Sequence, residues 1–540
     1  MAVMLSSRRL RTPTALAMTC AIAFALVYVL WTPQVPDLAA QVARADVARV
    51  GGAPVWWGGW FGGITLPNYS AIVPFSMATL GIRLTGVLAV VVSAYGGALL
   101  VADAPRPRAG AVAITLAQAA DLLGGRVTFT AGAAIGIWAL VALRHHREKT
   151  AILLGLLSFL GSPLAGFFLG LIALVVAVLR PERRRVATLL AISLVIFGIG
   201  MSILFPGTGT MPFPISDAAP AMLSCVVVFG ACHNKLIRAT AAMLAISFIP
   251  LLIVPLAIGT NATRLAWLAA VPVIVAYAEV RKSLIWVCAL IVAIWPVSDL
   301  ANQLLLAHQP SSNYTFYKPL ANALQADQRR LGRAVIGRRI EVVDTKNHWG
   351  SAYLTKFSLA RGWDRQADQA DNPIFYQPHA LNPVSYRQWL DSLAVGWVAV
   401  PKAPLDYAST AEAELVLGGL PYLQLTWSNS DWRLFRVVNP APLATGATVI
   451  GIDSHGVELK AVAGRTIQLK VRYSAYVGAS NPVTDKPLLA CIVNNKGWLQ
   501  VTVPVTETVR LSSDFAPVRS QAPGCVTPGK SPAATPSGTG

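Results

Sequence analysis

Arg180-Pro181-Glu182-Arg183-Arg184-Arg185-Val186-Ala187-Thr188-Leu189-Leu190-Ala191-Ile192-Ser193-Leu194-Val195-Ile196-Phe197-Gly198-Ile199-Gly200-Met201-Ser202-Ile203-Leu204-Phe205 joins a basic cluster to a run without a single charge. The uncharged run, 186–205, is as long as a helix needs to be to cross the hydrocarbon core of a bilayer, about 20 residues. The cluster before it is the kind of loop that stays on the cytoplasmic side. Working outward, similar apolar runs lie near 14–31, 84–102, 110–123, 127–143, 150–162, 165–179, 219–234, 239–258, 265–278 and 283–299. Together they predict about eleven spans. The whole chain agrees, because 540 residues that are 54% hydrophobic, only 13% charged and +0.55 in mean hydropathy do not make a soluble protein.

The charges sort by side. Arg8/Arg9/Arg11, Arg106/Arg108, Arg144/Arg147/Lys149, Arg180 to Arg185, Lys235/Arg238 and Arg281/Lys282 fall in alternate loops. That pattern places the N-terminus in the cytoplasm, and an odd number of spans exports everything after Asp299. The first helix, after Arg8, Arg9 and Arg11, reads as retained, with a cleaved signal peptide as the alternative. A net charge of +19 points to anionic lipid headgroups and not to nucleic acid, since the cations sit between apolar runs.

After Asp299 the pattern becomes that of a soluble fold. A helix at 315–333, a strand at Ile340–Val343, helix Tyr386–Leu393, strand Val395–Val400, a helix near 410–418 and a strand pair at Tyr422–Trp427 and Trp432–Val438 read as an exported α/β domain over 300–440. From 441 to 525 only short alternating strands remain, which suggests a β-sandwich. Residues 526–540 are rich in Pro, Ser, Thr and Gly and read as a disordered tail. The fold class is thus a polytopic all-α membrane domain over 1–299, followed by an α/β domain and a sandwich. Four cysteines, Cys20, Cys225, Cys232 and Cys288, fall in the membrane segments. Cys491 and Cys525 are exported, so they form one disulfide or remain two buried free thiols.

No Gly-rich phosphate loop, CxxC pair or His/Glu zinc spacing occurs; cofactors stay unknown, a divalent metal included. The informative segment is the long first outer loop, 32–71, in a chain whose other loops are short. A short helix there sets Asp37, Gln41 and Arg44 along one face, with Asp46 further on. Trp56, Trp57, Trp60 and Phe61 then serve as headgroup anchors or sugar-stacking rings. At the same face stand Asp121 with Arg126, and Asn261 with Arg264, each beside a helix break. Two outer arginines there are suited to a phosphate, the alternative being that they snorkel to headgroups.

Several stretches together resemble actinobacterial integral membrane proteins of the GT-C glycosyltransferase type. They are the Pro36-Asp37 loop running on to Pro67-Asn68-Tyr69-Ser70, Gly125-Arg126-Val127-Thr128-Phe129, Ser162-Pro163-Leu164-Ala165-Gly166 and Asn261-Ala262-Thr263-Arg264-Leu265. In the second half they are His348-Trp349-Gly350-Ser351-Ala352-Tyr353, Leu359-Ala360-Arg361-Gly362-Trp363-Asp364-Arg365-Gln366 and Asp431-Trp432-Arg433-Leu434-Phe435-Arg436-Val437. The resemblance implies a polyprenyl-phosphate sugar donor, a cell-envelope glycan or lipid acceptor, and a first-loop aspartate that deprotonates the acceptor hydroxyl. Asp37 matches that position, Asp46 is the second candidate, and Arg126, Arg264 and Asn261 would hold the donor phosphate, with Gln41, Arg44 and Asp121 supporting. Gln41 departs from relatives that carry a histidine near there. The sandwich resembles carbohydrate-binding modules in architecture. The competing classes are a transporter or flippase of envelope precursors, which calls for repeated half-sets of helices and midplane carboxylates, and a non-catalytic envelope assembly protein.

Overall fold

The computed structural model describes residues 2–51, 54–523 and 525, with the side chains of 2–11 excepted. The 526–540 stretch read as a disordered tail lies outside the described residues. The chain divides into two compact units, one of Met1–Val50 with Pro67–Ser312 and one of Gly51–Leu66 with Asn313–Gly540.

The first unit is helical. Its helices are α1 (Ala2–Leu30), α2 (Pro36–Gly51), α3 (Val73–Leu80), α4 (Ile82–Leu100), α5 (Pro107–Leu123), α6 (Val127–Arg144), α7 (Glu148–Gly161), α8 (Pro163–Leu179), α9 (Arg184–Leu204), α10 (Ile215–Ala231), α11 (Lys235–Ile253), α12 (Arg264–Tyr277) and α13 (Lys282–Ala307). Among the described residues six helical segments are long and apolar enough to cross a membrane: Thr12–Leu30, Ile82–Leu100, Val127–Arg144, Pro181–Leu204, Lys235–Ile253 and Lys282–Ala307. The expected eleven is therefore not reached by length and composition. Helices α8 and α10 are shorter apolar helices of 17 residues, and α7 and α12 have only 14. Fourteen residues rise about 21 Å, short of a hydrocarbon core of about 30 Å. The breaks are local: Ser162 is extended and Pro163 opens α8, while Gly259 at φ +45° opens the 3-10 turn before α12.

Small residues let these helices approach. A methyl on Gly132 of α6 would stand 2.8 Å from the Ser162 side chain, and the Ser158 hydroxyl of α7 donates to Gly132 O at 2.8 Å. One apolar cluster joins α6 to α9 around Leu143, Leu169 and Leu190. Another joins α10 to α13 around Phe248, Ile274 and Ile285.

The second unit begins with a hairpin from the long first loop, β1 (Trp56–Trp57) and β2 (Ile64–Thr65). After α14 (Tyr314–Leu331) come β3 (Arg339–Val342), α15 (Gly350–Tyr353), α16 (Arg365–Asp371), α17 (Pro383–Ser392), β4 (Val395–Pro401), α18 (Thr410–Leu417), β5 (Leu423–Ser428) and β6 (Trp432–Val437). Their sheet has the order β3-β4-β6-β5, with β3 and β4 parallel and the other pairs antiparallel. The burial of β4 throughout matches a central strand covered on both faces. The β-rich remainder holds β7 (Ala444–Thr445), β8 (Thr448–Asp453), β9 (Gly456–Ala461), β10 (Thr466–Arg472), β11 (Val477–Ser480), β12 (Cys491–Asn495), β13 (Trp498–Thr502) and β14 (Glu507–Ser513). It forms two four-stranded sheets, β12-β13-β10-β7 and β11-β14-β9-β8, whose core includes Leu459, Ile467, Leu499, Val501 and Leu511. A disulfide joins Cys491 to Cys525, with Cα atoms 5.3 Å apart.

The first-loop aromatics correct the sequence reading. Trp56, Trp57, Trp60 and Phe61 are at most 2% exposed, so they neither anchor at headgroups nor offer a free face to a sugar. Trp56 belongs to the sandwich core, and the Val55 and Trp56 amides donate to the Ser513 hydroxyl. The Trp60 indole donates to Ser351 O, and Gly59 O accepts from the Leu359 amide. These partners lie hundreds of residues away in sequence, which is why adjacency to the spans was misleading.

Candidate active site

Helix α2 opens at Pro36 and carries Asp37 in its first turn, where a carboxylate suits the positive end of the helix dipole. The α5–α6 turn comes up against that same point. Gly125 adopts φ +80°, and a methyl on it would meet Leu38 N at 2.6 Å. Glycine is required there on both counts. The close approach delivers Arg126, the next residue, to Asp37.

Arg126 Nε donates to Asp37 Oδ2 at 3.2 Å, and its Nη2 donates to Asp299 Oδ2 at 2.9 Å. Its Nη1 lies 3.7 Å from Asp121 Oδ1. Asp121 is 1% exposed, and its other oxygen accepts from the Thr130 hydroxyl at 2.7 Å. The Arg126 guanidinium lies 5.2 Å from the centre of the Trp267 ring. Arg264 approaches the same oxygen of Asp37, Nη2 to Oδ2 at 3.7 Å, and sits 5.5 Å from the Phe129 ring centre. Among the described residues Arg264 donates no side-chain hydrogen bond. The two arginines thus differ: Arg126 is held by three carboxylates, whereas Arg264 keeps its donors available for an anion.

An apolar groove of about 690 Å³ leads away from this cluster between α5, α12 and α13, lined by Val112, Leu116, Ala117, Ala120, Val271 and Val297. Trp267, beneath Arg126, and Leu300, next to Asp299, form its near end, and Arg108 and Trp286 its far end. From Arg108 to Ala120 the helix rises about 18 Å.

Of the residues singled out from sequence, Asp37, Asp121, Arg126 and Arg264 come together. Gln41 and Arg44, both buried, turn instead to Tyr69: the Gln41 amide donates to its hydroxyl at 2.7 Å, and Arg44 lies 4.0 Å from its ring centre. Asp46 stands apart, paired with exposed Arg49 at 2.6 Å. Asn261 lies in the 3-10 turn before α12 with its amide 3.8 Å from Met211 Sδ. Asp299 was missed. It stood only as the end of the last apolar run, although an acid closing a hydrophobic run was a signal that could have been followed. Among the described residues no group of three or more His, Cys, Asp or Glu side chains is arranged to hold a metal ion.

No protein-family model matches the sequence, and no curated protein matches it either. Solved structures of the arabinofuranosyltransferase AftD from Mycobacteria are similar: one at 13% identity and a TM-score of 0.45, over 85% of this chain and 41% of that one. Two classes of a variant of that enzyme give 12% identity and TM-scores of 0.43 and 0.39, over 94% and 92% of this chain and 60% and 59% of theirs. The chain therefore spans less than two thirds of the length of these structures.

Proposed function

We propose that this membrane protein is a GT-C-type glycosyltransferase that moves a sugar from a polyprenyl-phosphate donor to a cell-envelope glycan or lipid acceptor. The observation that carries the reading is Asp37: a carboxylate 28% exposed, gripped by Arg126 and flanked by an arginine with free donors, at the end of a lipid-sized groove. In this reading the site lies at the outer face of the plasma membrane, with the N-terminus in the cytoplasm and the second unit exported. The alternation of basic loops supports that orientation.

The acceptor hydroxyl attacks the anomeric carbon as the bond from that carbon to the phosphate oxygen breaks. Asp37 takes the hydroxyl proton, a contribution of roughly 10²–10⁴ in rate for a positioned general base. The leaving group is a lipid phosphate on which charge grows, and Arg264, with its donors unspent, meets it; preorganised cations in a water-poor site favour such a transition state. Arg126 is the positioning residue, fixing Asp37 while Asp121 and Asp299 fix Arg126. The polyprenyl chain lies along the groove from Trp267 toward Arg108.

Asp37→Asn tests this, because it keeps the shape and loses the base. Purified variant in nanodiscs should retain donor binding and lose transfer, while Asp46→Asn transfers normally. Transfer at the wild-type rate by Asp37→Asn would remove Asp37 as the base, and a defect confined to Asp46→Asn would move the assignment there.

A further inference from the structure

A second cleft, of about 520 Å³, lies in the other unit between the end of α14, the turn Gly332–Ile336 and strand β8. Gln325, Gln328 and Arg329 line one wall, set three and four residues apart on one helix face. Ile450, Gly451 and Ile452 of β8 line the other, and β8 is an edge strand, paired only with β9. Arg338 closes the cleft, its Nε buried without a hydrogen-bond partner while its Nη1 donates to Ala441 O.

The charge here is out of balance. Arg329 and Arg338 line the cleft and Arg333 lies in the turn between them, while Arg330 is paired with Asp327 and Arg339 is buried, bonded to Leu393 O and Lys470 O. The neighbouring carboxylates are already paired: Asp327 with Arg330 at 2.8 Å and Arg436 at 2.6 Å, Asp453 and Glu458 with Arg510 at 2.8 and 2.9 Å, and Asp391 with Arg387 at 2.8 Å, so that Asp391 acts on Arg338 only at longer range. Arg329 and Arg333 form no ion pair among the described residues. A basic residue in the last turn of α14 is accounted for by the helix dipole, but Arg333 and Arg338 lie beyond that turn.

We propose that this cleft binds an anionic glycan, a sugar chain bearing carboxylate or phosphate groups. The two amide side chains and the open backbone edge of β8 suit hydroxyl-rich rings, and the arginines supply charge-assisted hydrogen bonds to the acid groups. A concave wall of amides and an exposed strand edge fits a chain lying in the cleft better than it fits a flat layer of lipid headgroups. The proposal is independent of the transferase reading.

The test uses full-length protein in phosphatidylcholine nanodiscs, with a polygalacturonate oligosaccharide as probe and a neutral maltooligosaccharide of equal length as control. Polygalacturonate should bind at least about tenfold more tightly than the neutral chain and weaken with added salt. Arg329→Gln and Arg338→Gln should each weaken it by about tenfold, Arg338→Lys should keep part of the affinity, and Asp37→Asn should leave it unchanged. Arg329 is exposed, so its replacement does not endanger folding. Equal binding of the two oligosaccharides, or unaltered binding by Arg329→Gln, would overturn the proposal. So would binding in phosphatidylcholine discs that vanishes in phosphatidylglycerol discs at equal ionic strength, because the cleft would then be a headgroup site.

Discussion

Replacing Arg126 and Arg264 one at a time by glutamine separates a structural cation from a chemical one. Asp121 is 1% exposed, its Oδ1 has no hydrogen bond, and the Arg126 guanidinium 3.7 Å away is its nearest ion-pair partner. Arg126→Gln leaves that carboxylate buried without its cation, a loss of about 3–5 kcal/mol for a broken buried pair. Asp37 and Asp299, 28% and 29% exposed, can draw on solvent and add less. Arg264→Gln removes one ion pair at 3.7 Å with no hydrogen bond, so its cost should stay within about 1 kcal/mol. The assay is unfolding in detergent, followed by a thiol-reactive dye that reports exposure of the buried Cys225 and Cys232. Arg126→Gln should melt well below wild type and Arg264→Gln close to it, although both lose transfer. Asp121→Asn added to Arg126→Gln should recover most of the stability, because the orphaned charge is gone. Equal destabilisation by the two single changes, or no recovery in the double variant, would refute the division of labour.

Filling the groove with Ala117→Trp should weaken use of a long-chain polyprenyl donor far more than use of a short-chain analogue; equal loss with both would take the lipid chain out of the groove. Gly125→Ala, strained at φ +80° and meeting Leu38 N at 2.6 Å, should abolish transfer at unchanged expression, and full activity would show that the turn does not set Arg126. The Cys491–Cys525 bond closes a loop of 34 residues, so Cys491→Ser with Cys525→Ser should cost the second unit about 4 kcal/mol in urea unfolding, and no change would argue against it. Burial pushes Glu412 up to about 7 from its ordinary 4.5, and burial followed by the Glu412 charge pushes up fully buried Glu341 as well. The folded unit then holds protons that the unfolded chain has released, so its stability should fall as pH rises from about 4.5 through 7, and Glu341→Gln should flatten that dependence. A variant as pH-sensitive as wild type would reject this origin.

Local pattern was enough to single out Asp37, Arg126 and Arg264, which the fold brings together, since each stands beside a helix break. It could not reveal Asp299, 173 residues from Arg126, or the burial of Trp56, whose amide partner Ser513 lies 457 residues on. The span count rests on a different limit: hydropathy marks each apolar segment, but it does not say whether helices of 14 to 17 residues such as those on either side of Pro163, or the one after the Gly259 turn, cross alone. The missing aspartate changes the chemistry that the cluster supports. With every carboxyl ionised, Asp37, Asp121 and Asp299 outnumber Arg126 and Arg264 by one. In the proposed reaction the proton that Asp37 accepts brings the cluster to neutrality, and the Arg264 charge is then no longer shared with Asp37 as the phosphate gains its own. Three carboxylates on two arginines thus favour both halves of the transfer, whereas a cluster lacking Asp299 would end it with an uncompensated cation beside Asp37.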